Sequence, residues 1–166
     1  AVAVAHAGLG VTTIGVTAIT AWTDSEVVTM NPGQTIEFAG RQITLDALGP
    51  GRGPNYQADQ ARFRVEGRGQ PFLMVSEKRF YPSSQTQTTE AGIRGEAMGN
   101  LYISVGESAT PGAATVRLWW HPLVGWIWGG TMIMAFGGVL SLSDRRTRLA
   151  MPARKAAPVK ATEAAT

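Results

Sequence analysis

The sequence predicts a membrane protein in which two transmembrane α-helices flank a small all-β domain, antiparallel and barrel- or sandwich-like. Two observations carry this. Residues 1–22 and 119–143 contain no Asp, Glu, Lys or Arg, and each block is long enough to cross a bilayer as a helix. Between them lie short runs in which apolar and polar residues alternate, separated by Gly- and Pro-rich turns, as in antiparallel sheets with one buried face.

Taken in order, the first block, AVAVAHAGLGVTTIGVTAITAW, is the first predicted span. It has no basic n-region and no initiator Met before the apolar run, so it does not read as a signal peptide, and the chain is expected to be a piece of something longer. Residues 23–118 form the predicted β domain, on the outer (periplasmic, if bacterial) side of the membrane. Thr35–Phe38 and Gln42–Leu48 alternate around Ala39-Gly40, a hairpin signal. Gly49-Pro50-Gly51-Arg52-Gly53-Pro54 is a loop by composition. Ala61–Glu66, Phe72–Val75, Tyr102–Val105 and Thr115–Leu118 complete about six strand candidates. Pro82 to Gly99 is expected to be a long loop or to carry a short helix at Thr89–Arg94. The second span, residues 119–143, is crowded at its start by Trp119, Trp120, Trp126 and Trp128, as an interfacial aromatic belt would be. Pro122 would suit the first turn of that helix.

Charge divides the chain the same way. Residues 23–118 hold nine Lys/Arg and ten Asp/Glu, whereas residues 144–166 hold six Lys/Arg and two acids. The net charge of +3 is thus a property of the tail, which is expected to be largely disordered. By the positive-inside rule the tail lies in the cytoplasm and the β domain outside. A nucleic-acid partner is excluded, since the β domain is slightly acidic rather than basic. No cysteine is present, which removes disulfides, zinc ribbons and thiol catalysis. Glycines recur on both spans and allow close helix approach in a bilayer.

His6 is the sole titratable side chain in the first span. An imidazole at that depth marks a functional site by default: a metal or haem ligand, or a proton relay. The alternative is a neutral ring that bonds a neighbouring helix. His121, the other histidine, falls at the outer end of the second span, roughly 20–30 Å from His6. The two are not expected to share an iron, and His121 reads as an interfacial polar residue. Lys78-Arg79-Phe80-Tyr81-Pro82 is the densest recognition candidate in the β domain, two cations and two aromatics that could clamp a carboxylate and stack on a flat ring. A charged strand end before a turn explains the same residues. Ser83, Ser84, Asp46 and Glu90 form no triad.

Longer phrases carry a resemblance. Glu77–Pro82, Thr89-Glu90-Ala91-Gly92-Ile93, Asn100–Glu107, Pro122–Trp128, Met134–Gly138 and Ser143–Arg146 follow one another in an order that resembles the C-terminal portion of the CcmF (CycK, NrfE) haem lyase family of cytochrome c maturation. The likeness runs to about Arg148. It implies a role in covalent attachment of haem to apocytochrome c at the periplasmic face of the bacterial inner membrane. It also implies an intramembrane haem b held by two transmembrane histidines, of which Ala5-His6-Ala7-Gly8 resembles the second. On that context axial ligation of haem iron is carried over to His6 and to no other residue; residues other than histidine precede the Pro-Leu-Val run in the family phrase, which supports the interfacial reading of His121. The implied partners are the remainder of the lyase chain or complex, a haem chaperone, apocytochrome c and the lipid bilayer. Lys78, Arg79 and Tyr81 are candidates for partner contact. On this reading residues 1–166 alone are not catalytically sufficient, lacking a second ligand and the tryptophan-rich haem-handling loop. The competing expectation is a non-enzymatic, membrane-anchored β-domain scaffold.

Overall fold

The computed structural model describes residues 1–67 and 69–143; the tail expectation, residues 144–166, lies outside them. Helix α1 (Val2–Trp22) leads into nine strands: β1 (Asp24–Met30), β2 (Thr35–Phe38), β3 (Arg41–Arg52), β4 (Gln57–Glu66), β5 (Phe72–Tyr81), β6 (Thr86–Glu90), β7 (Gly92–Glu96), β8 (Gly99–Gly106) and β9 (Ala114–Pro122). Helix α2 (Val124–Ser143) closes the described part. The strands form two antiparallel sheets, β1-β9-β8-β7 and β2-β3-β4-β5-β6. Both predicted spans and the antiparallel β domain between them are present.

Strand alternation places the core. Leu101, Ile103 and Val105 of β8 and Val116 and Leu118 of β9 face Ile43, Leu45, Ala61, Phe63, Val65 and Met74 of the other sheet. Each fully buried large apolar side chain contributes about 1.5–3 kcal/mol. The Ala39-Gly40 hairpin forms as expected, joining β2 to β3 with both residues at positive φ (50° and 69°), the backbone of a two-residue turn matched to strand twist.

Three segments differ from expectation. Pro82 to Gly99 is neither loop nor helix but holds β6 and β7, with Ala91 between them where the chain passes from one sheet to the other. Thr86–Glu90 is an edge strand with no buried residue, so it carries no alternation to read. The expected loop at residues 49–54 is mostly strand, since β3 runs to Arg52 and Pro50 pairs with Asp59. Beyond Leu45 no β2 residue pairs with β3, so Pro50 lies on a stretch of β3 with one free edge, where proline is tolerated. Finally, Trp119–Pro122 belongs to β9, with Trp119 opposite Ser25 and Trp120 opposite Asp24. The helix begins only at Val124, after Leu123 turns the chain at φ 53°. Pro122 therefore ends a strand instead of opening a helix.

Helices α1 and α2 lie antiparallel in backbone contact. A Cβ placed on Gly8 would come 2.5 Å from the Met134 amide nitrogen, and one on Gly137 would come 2.6 Å from that of Ala5. Thr12 Oγ1 donates to Gly8 O at 3.1 Å. Both helices are long and apolar enough to cross a membrane, with mean hydropathies of 1.7 and 1.4, and their outward faces are exposed.

Candidate functional site

The helix packing decides where His6 points. Ala5, Gly8, Thr12 and Gly15 of α1 meet α2. At 3.6 residues per turn His6 projects roughly 150° away from that face, and it is exposed. His6 therefore does not bond α2. Its Nδ1 lies 3.0 Å from the Val2 carbonyl oxygen one turn earlier. A carbonyl only accepts, so Nδ1 carries the proton in this bond and Nε2 presents a lone pair outward. Ring nitrogens that bind metal are held in this way, with the other nitrogen donating to a backbone carbonyl or carboxylate. The residues present thus suit an imidazole ligand to iron.

His121 is elsewhere. It lies on β9 opposite Asn100, and its Nδ1 is 3.3 Å from Thr23 Oγ1 just past the end of α1. Thr23 is 17 positions from His6, about 25 Å of helix rise. Among the described residues there is no cluster of three or more His, Cys, Asp or Glu that could hold a metal.

Lys78, Arg79 and Tyr81 all lie on β5, which brings Arg79 and Tyr81 together and separates Lys78 from them. Period-two alternation puts Lys78 on the face that Met74 and Ser76 bury, and puts Arg79 and Tyr81 on the opposite face. β5 runs beside β8, with Ser76 Oγ accepting from the Val105 amide at 3.0 Å. Its C-terminal end is therefore at the end of the sandwich remote from the helices, about 25 Å away at strand rise. There Lys78 pairs with Glu107 across a groove of about 400 Å³ whose walls include Leu48, Ala61, Val105 and Ala114. The Lys78 ammonium pulls the Glu107 carboxyl below its ordinary pKa.

On the other face Arg79 is already engaged. Its Nε donates to Glu77 Oε2 at 2.7 Å, Glu90 lies 3.8 Å from Nη1, and the guanidinium sits 4.4 Å over the Tyr56 ring. Tyr56 and Tyr81 pack with centroids 5.6 Å apart. Gln60 Nε2 donates to the second Glu77 oxygen at 2.6 Å. The Arg79 bond, followed by the Gln60 bond, lowers the Glu77 pKa from its ordinary 4.5, and the Glu77 bond, followed by that of Tyr81, raises that of Arg79. A depressed carboxylate pKa stabilises the fold fully above the unfolded value and is lost as pH falls through the folded one. Thermal stability in detergent is therefore expected to be unaffected by these groups from neutral pH to about 5 and to decline below about 4. Glu77→Gln should flatten part of that decline; an unchanged acid limb would remove Glu77 from the account.

Sequence reasoning missed one residue outright. Arg41 is 1% exposed, donates from Nη2 to Glu96 at 2.6 Å and from Nη1 to the Ala39 carbonyl at 3.1 Å, and lies 4.3 Å over the Trp120 ring. It is the first residue after the β2–β3 turn, and nothing local distinguishes it from a solvated arginine.

Comparison with known proteins fits this architecture. Residues 21–122 match the family described as the CcmF C-terminal beta-sandwich. Over 153 residues the chain is 44% identical to cytochrome c-type biogenesis protein CycK of Rhizobium meliloti (strain 1021), covering 92% of this chain and 23% of CycK. It is 35% identical to CcmF of Escherichia coli (strain K12), over 93% of this chain and 24% of that protein. To NrfE of Haemophilus influenzae it is 34% identical, over 87% and 23% respectively. The chain thus spans about a quarter of the length of these curated relatives. A solved structure titled Cytochrome c Heme Lyase CcmF superposes with a TM-score of 0.66 at 19% identity, covering 85% of this chain and 24% of that one, a likeness of fold. The chain belongs to the CcmF C-terminal β-sandwich family and corresponds to the C-terminal portion of the CcmF, CycK and NrfE cytochrome c biogenesis proteins.

Proposed function

We propose that this chain works as part of a haem lyase that attaches haem covalently to apocytochrome c, with His6 supplying one axial ligand of an intramembrane haem b. The observation that carries the reading is the Nδ1 bond of His6 to the Val2 carbonyl on the α1 face turned away from α2. It fixes the tautomer and aims Nε2 at whatever lies beside the helix pair. Bound there, the haem would supply a one-electron redox centre within the membrane. The second ligand and the platform for the apocytochrome belong to the remainder of the lyase chain or complex.

The membrane is a bacterial inner membrane. The Arg145, Arg146 and Arg148 cluster following α2 favours a cytoplasmic C-terminus, which puts the β domain in the periplasm. There the sandwich braces the outer face of the complex. Its remote end offers two surfaces to a haem chaperone or to apocytochrome c: the groove edged by Lys78 and the aromatic face of Arg79 and Tyr81.

The test is spectroscopic. In the full-length protein purified from membranes, His6→Ala is expected to abolish the reduced b-type haem spectrum while the protein still accumulates. Full haem content with an unchanged reduced spectrum in that variant would show that His6 is not a ligand.

A further inference from the structure

We infer that one face of α1 lines a water-filled path running from the β-domain end of the helix to His6. Helix α1 carries four threonines, and they are not scattered around it. Thr12 faces α2, its hydroxyl 3.5 Å from the Ile127 carbonyl oxygen. At 3.6 residues per turn Thr13, Thr17 and Thr20 all project within about 40° of His6, on the side turned away from α2, and all three are exposed. Leu9 and Val16 border this row on one flank, Ile14 and Ala21 on the other. From His6 to Thr20 the row covers about 21 Å of helix rise, and it ends one turn before β1 begins at Asp24. The exposed face of α2, with Trp128, Met132, Phe136 and Val139, carries no such row.

Donor and acceptor chemistry identifies the occupant as water. Thr13 Oγ1 donates to the Leu9 carbonyl at 2.9 Å and Thr20 Oγ1 to the Val16 carbonyl at 2.9 Å. Each hydroxyl thereby spends its one hydrogen inside the helix and turns lone pairs outward. His6 does the same, since Nδ1 donates to the Val2 carbonyl and Nε2 is left as an acceptor. The Thr17 hydroxyl has no partner among the described residues. The row is thus a line of groups in need of donors, and polar groups left without partners are costly against hydrocarbon. The backbone of an adjoining helix could not supply those donors, because its amides are bonded within that helix and its carbonyls only accept. Water donates in any orientation. The path brings water and protons to the His6 imidazole from the end of α1 joined to the β domain. It depends on the direction in which His6 points and not on whether the ring holds iron.

The experiment uses the full-length protein in spheroplasts, with single substitutions in a background whose cysteines are replaced by serine; residues 1–166 contain none. Thr13→Cys, Thr17→Cys and Thr20→Cys are treated with a charged, membrane-impermeant methanethiosulfonate added outside. The reagent attacks the thiolate, so a thiol held in apolar surroundings is inert to it. The three variants are expected to react about tenfold faster than Ile14→Cys and Val16→Cys on the flanks of the row, and fastest at position 20. Labelling repeated after denaturation in detergent counts the thiols present, so a variant that accumulates poorly is normalised to its own amount. Rates at the three row positions no greater than those at Ile14 and Val16 would mean that protein or lipid covers the row, and would overturn the path. Reaction in inverted vesicles but not in spheroplasts would put the opening at the opposite end of α1 and overturn it equally.

Discussion

Replacing Arg41 by Ala is expected to destabilise the β domain by about 3 kcal/mol, because it strips a buried charge from partners that remain in place. Arg41 reaches from one sheet to the other. It bonds Glu96 at the end of β7 and covers Trp120 on β9, and both of those points adjoin α2. The turn after Glu96 presents the Ala97 carbonyl to Trp126 Nε1 at 3.1 Å and the Met98 carbonyl to the Leu123 amide at 3.0 Å. Loss of Arg41 would therefore loosen the seating of the sandwich on the membrane helix as well as the sandwich itself. The pair is not worth its gross attraction, since burying charge is costly and one donor, Arg41 Nε, is buried without a partner among the described residues. Two apolar residues of similar volume can replace such a pair at little net loss. The double variant Arg41→Met/Glu96→Leu is accordingly expected to recover most of what Arg41→Ala forfeits. Denaturation of the detergent-solubilised protein checks this. Equal stability of Arg41→Ala and parent would mean that the ion pair and the stacking contribute nothing net.

The architecture was legible where periodicity is clean, and the reasons for the gaps are physical. Uncharged blocks announced both helices, and β8, with buried and partly buried residues in strict alternation, announced itself. Strands that lie at an edge or carry charge did not. Thr86–Glu90 buries nothing, and the strand candidate Phe72–Val75 ended before Glu77-Lys78-Arg79 because charged residues break an apolar pattern. Extending it to Tyr81 is what separates Lys78 from Arg79, since neighbours on a strand face opposite ways. The partners of Arg79, Tyr56 on one side and Glu90 on the other, come from the approach to β4 and from β6, and no local signal links them. His6 was conspicuous in the sequence, but the direction in which it points depends on which glycines α2 occupies, a fact of packing alone.

That packing underlies the second large effect. Gly130→Leu is expected to separate α1 from α2 and to cost about 3 kcal/mol or more, at the upper end for overpacked interiors. A Cβ on Gly130 would stand 2.5 Å from the Thr12 amide nitrogen and 2.6 Å from the Gly8 carbonyl oxygen. Both are backbone atoms, which no rotamer change can move aside. In a bilayer apolar side chains gain little by leaving lipid for a neighbouring helix, so association depends on close backbone approach at small residues. Leucine removes that approach while making the helix more apolar, so insertion should survive as packing fails. The control is one helical position away. At Gly129 a Cβ meets nothing within 4 Å, and Gly129→Leu is expected to be tolerated. If α1 is displaced, His6 moves with it, so on the proposed haem-ligand reading Gly130→Leu should lose haem although His6 itself is intact. Thermal unfolding in detergent, read together with haem per protein, separates the two variants. Equal behaviour of Gly129→Leu and Gly130→Leu would mean that the glycine contact does not hold the pair together.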